Sequence, residues 1–341
     1  MSRRIFLKVF GLITLVIGLL LLSVSSYAGN GVGIERAKEV QQRNTERLMA
    51  IQGVVGTAVA ETDTGGAAVA VFLERPGVGP IPRTLEGVPV RPVVTGKFYA
   101  LAKPAAKPGK PPVEIIDPTA RFDRPVPIGV STGHPAITAG TIGCRVTDGT
   151  NVYALSNNHV YANENRANID DAVIQPGAYD RGASPADDIG ALHDYQKIIF
   201  GGGDNVIDAA IALSDAGRLG NATPSNGYGA PKSTTAAAAI RMPVMKYGRT
   251  TGQTTGKVYA INATVNVGYD TGVARFVGQI VITPGTFSAG GDSGSLIVVN
   301  NKKSVDHLKP VGLLFAGSSS YTIANPIDAV LNRFGVSVDG Q

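Results

Sequence analysis

Three short stretches of the chain carry residue types that do acyl-transfer chemistry together. His159 lies in "LSNNHVYAN" (155–163), which follows a short apolar strand-like run, in a chain with only four histidines. Asp208 sits beside the Ala/Ile run of "DNVIDAAIAL" (204–213), where a carboxylate is costly unless paired. Ser293 lies in "TFSAGGDSGSLIVV" (286–299), a glycine-rich turn running straight into a β-prone stretch. Gly290, Gly291 and Gly294 permit the tight backbone that exposes a hydroxyl, and they let neighbouring N–H groups converge on one point, as an oxyanion requires. The order His–Asp–Ser is one of the known chain orders of a serine acyl-transfer triad and differs from that of the α/β-hydrolases. "GDSGS" also fails the G-x-S-x-G elbow, because Ser295 stands fifth.

Each residue has rivals. His134 lies in a Pro-flanked loop, His193 in "ALHDY" and His307 in a polar loop after Ser293; only His159 has a strand end to aim it. Asp188 in "ADDIGAL" also precedes an apolar run and competes with Asp208. Cys144 is the single cysteine, so no intramolecular disulfide forms, and a buried apolar role suits it better than a reactive thiol. "GRTTGQTTGKV" fails the phosphate-loop pattern, since Thr251 occupies its first glycine position and Val258 follows Lys257. No Cys/His cluster suggests zinc, and the chemistry needs no cofactor.

The elements that must hold these residues read as mainly β. Forty-three glycines, 21 prolines and 17 % charged residues favour short strands and turns. "TIGCRVTDGTNVYALSNNHV" (141–160) predicts a hairpin, Thr141–Val146 and Val152–Ser156, turning at Asp148-Gly149 and delivering His159 just past its end. Residues 33–52 space Ile34, Ala37, Val40, Leu48 and Ile51 as an amphipathic helix; Val54–Val59 and Ala67–Leu73 flank a Thr-Gly-Gly turn, and 81–96 add a turn and a strand. This predicts a small α+β accessory module over 33–97. Residues 98–124, Pro- and Lys-rich, read as an extended linker, and 125–341 as the domain that bears the triad.

"LSNNHV", "DNVIDAAIAL" and "GDSGSLIV", spaced by 49 and 85 residues, resemble the three catalytic motifs of trypsin- or chymotrypsin-like serine proteases. More loosely, "GVVGT" and "MKYGRTTGQTTGKV" (245–258) resemble a bacterial group of these proteases related to the plant narrow-leaf protein. The resemblance implies a double β-barrel over 125–341, a polypeptide substrate, and endopeptidase activity through an acyl-enzyme. It makes Ser293 the nucleophile, His159 the base, Asp208 the orienting acid, and the N–H groups of Gly291 and Ser293 the oxyanion donors. It also places Phe287 at the floor of the specificity pocket and Phe315, Ala316 and Gly317 along one wall. Without a buried acid there, the pocket would take Ala, Val or Leu rather than Lys or Arg, unless a loop carries Asp270 or Asp306 in. There are departures: Ser295 replaces the family's second glycine, the disulfides of animal members are missing, and no Ile-Val-Gly-Gly activation terminus is present. Two other readings keep the triad: a binding or scaffold protein whose site is unused or acts only on itself, and an esterase.

Residues 1–28 have the three parts of an export signal: Arg3, Arg4 and Lys8, an apolar run from Val9 to Leu22, and Ser26-Tyr27-Ala28 before Gly29. The run is short for a full membrane span of ~20 apolar residues, which favours cleavage over anchoring. "SRRIFLK" also fits the twin-arginine pattern. A periplasmic or extracellular destination follows. Removing those three basic residues lowers the net charge from +5 to +2, and no basic block argues for nucleic acid.

Overall fold

The computed structural model describes residues 33–101 and 116–341. The export signal expected over 1–28 and most of the expected linker lie outside the described residues. The chain is mainly β. Six strands form one sheet in the order Ala172–Ile174, Asp188–Tyr195, Ala210–Ser214, Val152–Ser156, Cys144–Thr147 and Ser337–Val338. The expected hairpin is there, with its first strand starting at Cys144 rather than Thr141. Gly149 sits at φ +94° in its turn, and the Asp148 carboxylate accepts the N–H groups of Thr150 (2.8 Å) and Asn151 (2.7 Å). Val146, Leu155, Ile189, Leu192 and Ile211 pack into one core beneath this sheet.

The second sheet is built on the 17-residue strand Gly252–Gly268. Pairing runs from it to Pro243–Gly248, Leu296–Val299, Pro310–Gly317, Thr322–Pro326 and Val273–Thr283, and the last pairs with Gly252–Gly268 again, so the order returns to its start. The strands carry Val/Ile/Leu/Ala on inward positions, and 296–299 and 310–317 are buried along their whole lengths.

The 33–97 segment has the predicted elements. The helix is Ile34–Met49, ending before Ile51, and Ile34 is exposed. Strands Val54–Glu61 and Ala67–Leu73 pair antiparallel, and Val88–Val94 adds parallel to the second. The segment is not set apart from the rest, however. Val54–Glu61 pairs antiparallel with the 252–268 strand, Gly56 opposite Val265 and Ala60 opposite Ala260. Its two faces serve two cores: Val54 and Val59 pack under the helix with Ala37, Val40 and Leu48, while Val55, Ala58 and Ala60 share a core with Val265, Phe276 and Phe315. Asn262 Nδ2 donates to Gln41 Oε1 on the helix (2.8 Å). The stretch assigned to the linker also begins as structure. Phe98–Ala100 is a strand between 252–268 and 310–317.

Candidate functional site

The register of the first sheet brings two of the three residues together. Ser156, the last residue of its strand, pairs with Ala210, the first of the next. An antiparallel pair in this register places residues 157–159 beside residues 207–209. Asn157 closes the junction, its Nδ2 donating to the Asp208 carbonyl (2.7 Å). His159 lies in the single-turn helix Asn158–Tyr161, and its Nδ1 is 2.6 Å from Asp208 Oδ2. The His159 backbone N–H donates to Asp208 Oδ1 at 3.3 Å. A carboxylate only accepts, so Nδ1 carries the hydrogen of this bond. Nε2 is buried and has no hydrogen-bond partner among the described residues.

The Asp208 side chain is 0 % exposed and His159 is 2 % exposed. A buried carboxylate needs donors, and beyond His159 it has one the sequence did not suggest. Tyr269 Oη donates to Oδ2 at 2.8 Å, and its ring stands edge-on to the His159 imidazole, 5.9 Å between centroids. Burial and the Asp208 charge hold the Tyr269 hydroxyl well above its usual pKa, so it stays a donor. The Asp208 N–H donates to Asn325 Oδ1 (3.1 Å), and Asn325 Nδ2 donates to Gln279 Oε1 (2.7 Å).

Ser293 arrives on the turn before the 296–299 strand. Gly291 and Gly294 take φ of +94° and +93°, the left-handed region in which a side chain is strained. Thr141 N–H donates to the Ser293 carbonyl and Gly294 N–H to that of Leu314, both at 2.8 Å. Asp292 organises the turn from below. It is fully buried, accepts from Thr250 N–H (2.8 Å), Ala289 N–H (3.0 Å) and Thr251 Oγ1 (2.7 Å), and faces the equally buried Lys246 ammonium at 3.2 Å. Burial pulls the Lys246 pKa below its usual value, against the opposing pull of Asp292. Ser295 fits because Gly248 has no side chain: a Cβ there would lie 2.6 Å from Ser295 Oγ.

Ser293 Oγ donates to the Phe315 carbonyl at 3.2 Å and is 0 % exposed. Gly291 N–H donates to the Leu101 carbonyl at 2.7 Å. Phe287 is buried among Val258, Ile282, Ile297 and Leu314. The Phe315 ring points elsewhere, against Phe276 at 4.7 Å, so its carbonyl rather than its side chain faces Ser293. Ala316 and Gly317 lie on the same strand, paired with Ala100 and Tyr99.

The rival residues have other partners. His134 Nε2 meets Asp171 (3.2 Å), His193 stacks on Tyr153 (5.0 Å), and His307 Nδ1 lies 3.2 Å from the Val299 carbonyl. Asp188 begins the 188–195 strand, pairs through its backbone with Ile174, and has no hydrogen bond to His159. Asp306 pairs with Lys309 (2.7 Å), and Asp270 sits in the turn whose N–H groups bond to Glu164. Among the described residues no cluster of His, Cys, Asp or Glu could hold a metal ion.

No curated protein matches the chain. Residues 212–325 match the sequence profile of the Nal1 C-terminal domain. Among solved structures, a glutamic acid specific serine protease is 21 % identical, with 62 % of this chain and 100 % of that one covered at a TM-score of 0.46. Protease A of Thermobifida fusca is 17 % identical over 63 % of this chain and 99 % of its own, at 0.45. Chymotrypsin of Cellulomonas bogoriensis is 17 % identical over 64 % and 100 %, at 0.42. The chain is thus similar to bacterial chymotrypsin-like serine proteases and, over about a third of its length, to the Nal1 C-terminal domain.

Proposed function

We propose that the protein is an exported serine endopeptidase. The observation that carries this reading is the buried His159–Asp208 pair at 2.6 Å, whose Nε2 is left without a partner among the described residues. Ser293 Oγ–H gives its proton to His159 Nε2 as Oγ attacks the scissile carbonyl. Asp208 keeps the imidazole in that tautomer and balances the imidazolium that forms. The Gly291 and Ser293 N–H groups hold the oxyanion, and water then releases the acyl group with His159 acting again as base. No step calls for a cofactor. Apolar walls around Phe287 favour cleavage after small or medium apolar residues over Lys or Arg. Export rests on the signal-like residues 1–28; among the described residues no helix is long and apolar enough to cross a membrane.

A serine-directed fluorophosphonate should label the chain and not Ser293→Ala, and casein turnover should fall by roughly 10⁴-fold or more in that variant. Casein hydrolysis persisting in Ser293→Ala at the wild-type rate overturns the assignment. Turnover of short-chain esters with no peptide cleavage would make the protein an esterase.

A further inference from the structure

We propose that the protein's own Leu101–Ala102 bond is a substrate of its site, presented in cis by residues 98–101. The inference rests on the peptidase reading above. Four independent features of that segment meet at the site. Phe98–Ala100 lies antiparallel along the 310–317 strand, Ala100 opposite Ala316 and Tyr99 opposite Gly317, which is how an extended peptide is added to a sheet edge. The Leu101 N–H continues the pairing by donating to the Phe315 carbonyl (3.2 Å). The Leu101 carbonyl accepts from Gly291 N–H at 2.7 Å, the donor assigned to the oxyanion. The Leu101 side chain packs on the apolar cluster of Phe287, Val258, Ile282 and Leu314, and a Cβ built on Gly317 would lie 3.5 Å from its Cδ1.

A strand that only completed the sheet would need the first two features. It would not need to place a carbonyl on the Gly291 N–H, nor to lay a medium apolar side chain on the cluster that contains Phe287. Leu101 therefore satisfies the selectivity expected of the pocket from inside the same chain. The hydrogen bonds also describe a waiting state. The Phe315 carbonyl accepts from both Ser293 Oγ and Leu101 N–H, while His159 Nε2 has no partner. Rotation of the Ser293 hydroxyl from that carbonyl towards Nε2 starts the reaction. Oγ–H passes its proton to Nε2 and Oγ bonds the Leu101 carbonyl carbon. The bond to the Ala102 nitrogen breaks, and that nitrogen leaves with the proton as an amine. One water then hydrolyses the Leu101 ester, restoring Ser293 and leaving a Leu101 carboxylate.

Purified wild-type and Ser293→Ala chains, read by intact mass and N-terminal sequencing, test this. Wild type should contain one piece ending at Leu101 and another beginning at Ala102, and Ser293→Ala should stay whole. The cut fraction at a fixed time should not change on dilution, and Leu101→Lys should lose the cut because the pocket has no acid to receive the ammonium. A wild type that is labelled by the phosphonate at Ser293 yet stays uncut after Leu101 overturns the self-cleavage and leaves the peptidase reading standing. A chain neither cut nor labelled overturns both. The same cut in Ser293→Ala, or cutting that falls away on dilution, also overturns the inference.

Discussion

At the scale of single residues, the buried polar atoms around Asp208 have partners, except His159 Nε2 and Asn157 Oδ1. Asp208 is held by His159, Tyr269 and Asn325, and His159 Nε2, left without a partner, is the atom that takes the proton in the proposed mechanism. In the proposed mechanism Tyr269 acts through Asp208, so it would be a positioning residue. Its replacement by Phe keeps the ring contacts and removes one donor to a carboxylate. The loss, about 1.5 kcal/mol, corresponds to roughly a tenfold fall in kcat. KM should not change, whereas a merely structural role would move stability and KM together; steady-state kinetics on a peptide with Leu before the cut separates the two. Asp148 offers a test away from the site. The Asn151 and Thr150 N–H groups, the Asn151 amide and the Tyr153 hydroxyl lower its pKa. A carboxyl with a lower pKa folded than unfolded contributes stability that is present in full above about pH 4 and lost as pH falls through the folded value. Asp148→Asn should therefore lower the urea midpoint at neutral pH and flatten its decline in strong acid.

At the scale of elements, the 289–295 turn depends on a charge that local sequence does not explain. Lys246 supplies a cation from the 243–248 strand, buried with Asp292 and also donating to the Gly252 carbonyl at 3.1 Å. Lys246→Met leaves Asp292 buried and unpaired, a loss of about 3–5 kcal/mol. The turn should loosen, with phosphonate labelling of Ser293 lost along with stability. Lys246→Met/Asp292→Asn removes both charges, so it should regain most of the denaturation midpoint. If the single variant unfolds at the wild-type midpoint, the pair does not hold the turn. The signal for this pair was present in the sequence. "PVMKYG" puts a lysine inside an otherwise apolar strand, and a charge there has to be paired. The partner is 46 residues away, and no local pattern names it. The same limit explains what else was hidden. The helix, the 144–156 hairpin and the strands of 54–73 follow from period and turn chemistry, and the His159–Asp208 pair from motifs next to strands. Tyr269 in a hairpin turn and Leu101 at the end of a short strand matter only through pairings 61 and roughly 190 residues away in sequence.

At the scale of the whole molecule, those distant pairings decide how the chain divides. By composition alone, the Pro- and Lys-rich 98–124 stretch separates an accessory module from the domain that bears the triad. The hydrogen bonds give another partition. Val54–Glu61 extends the sheet of the 252–268 strand, Phe98–Ala100 bridges that strand to 310–317, and Val55, Ala58, Phe72 and Phe98 share a core with Val265, Phe276 and Phe315. Removing residues 33–101 would strip one face of that core and leave the 252–268 strand as an open edge, which invites pairing with other chains. A site-specific protease sequence inserted between residues 102 and 115 and then cut should give two fragments that co-elute in native size exclusion and unfold in one transition. They should separate only in denaturant. The 116–341 fragment made alone should be aggregation-prone or unfolded, and adding a separately made 33–101 fragment during refolding should rescue it. A soluble 116–341 fragment that melts at the full-length temperature would show that the sheet shared with residues 33–101 adds nothing to the stability of the site.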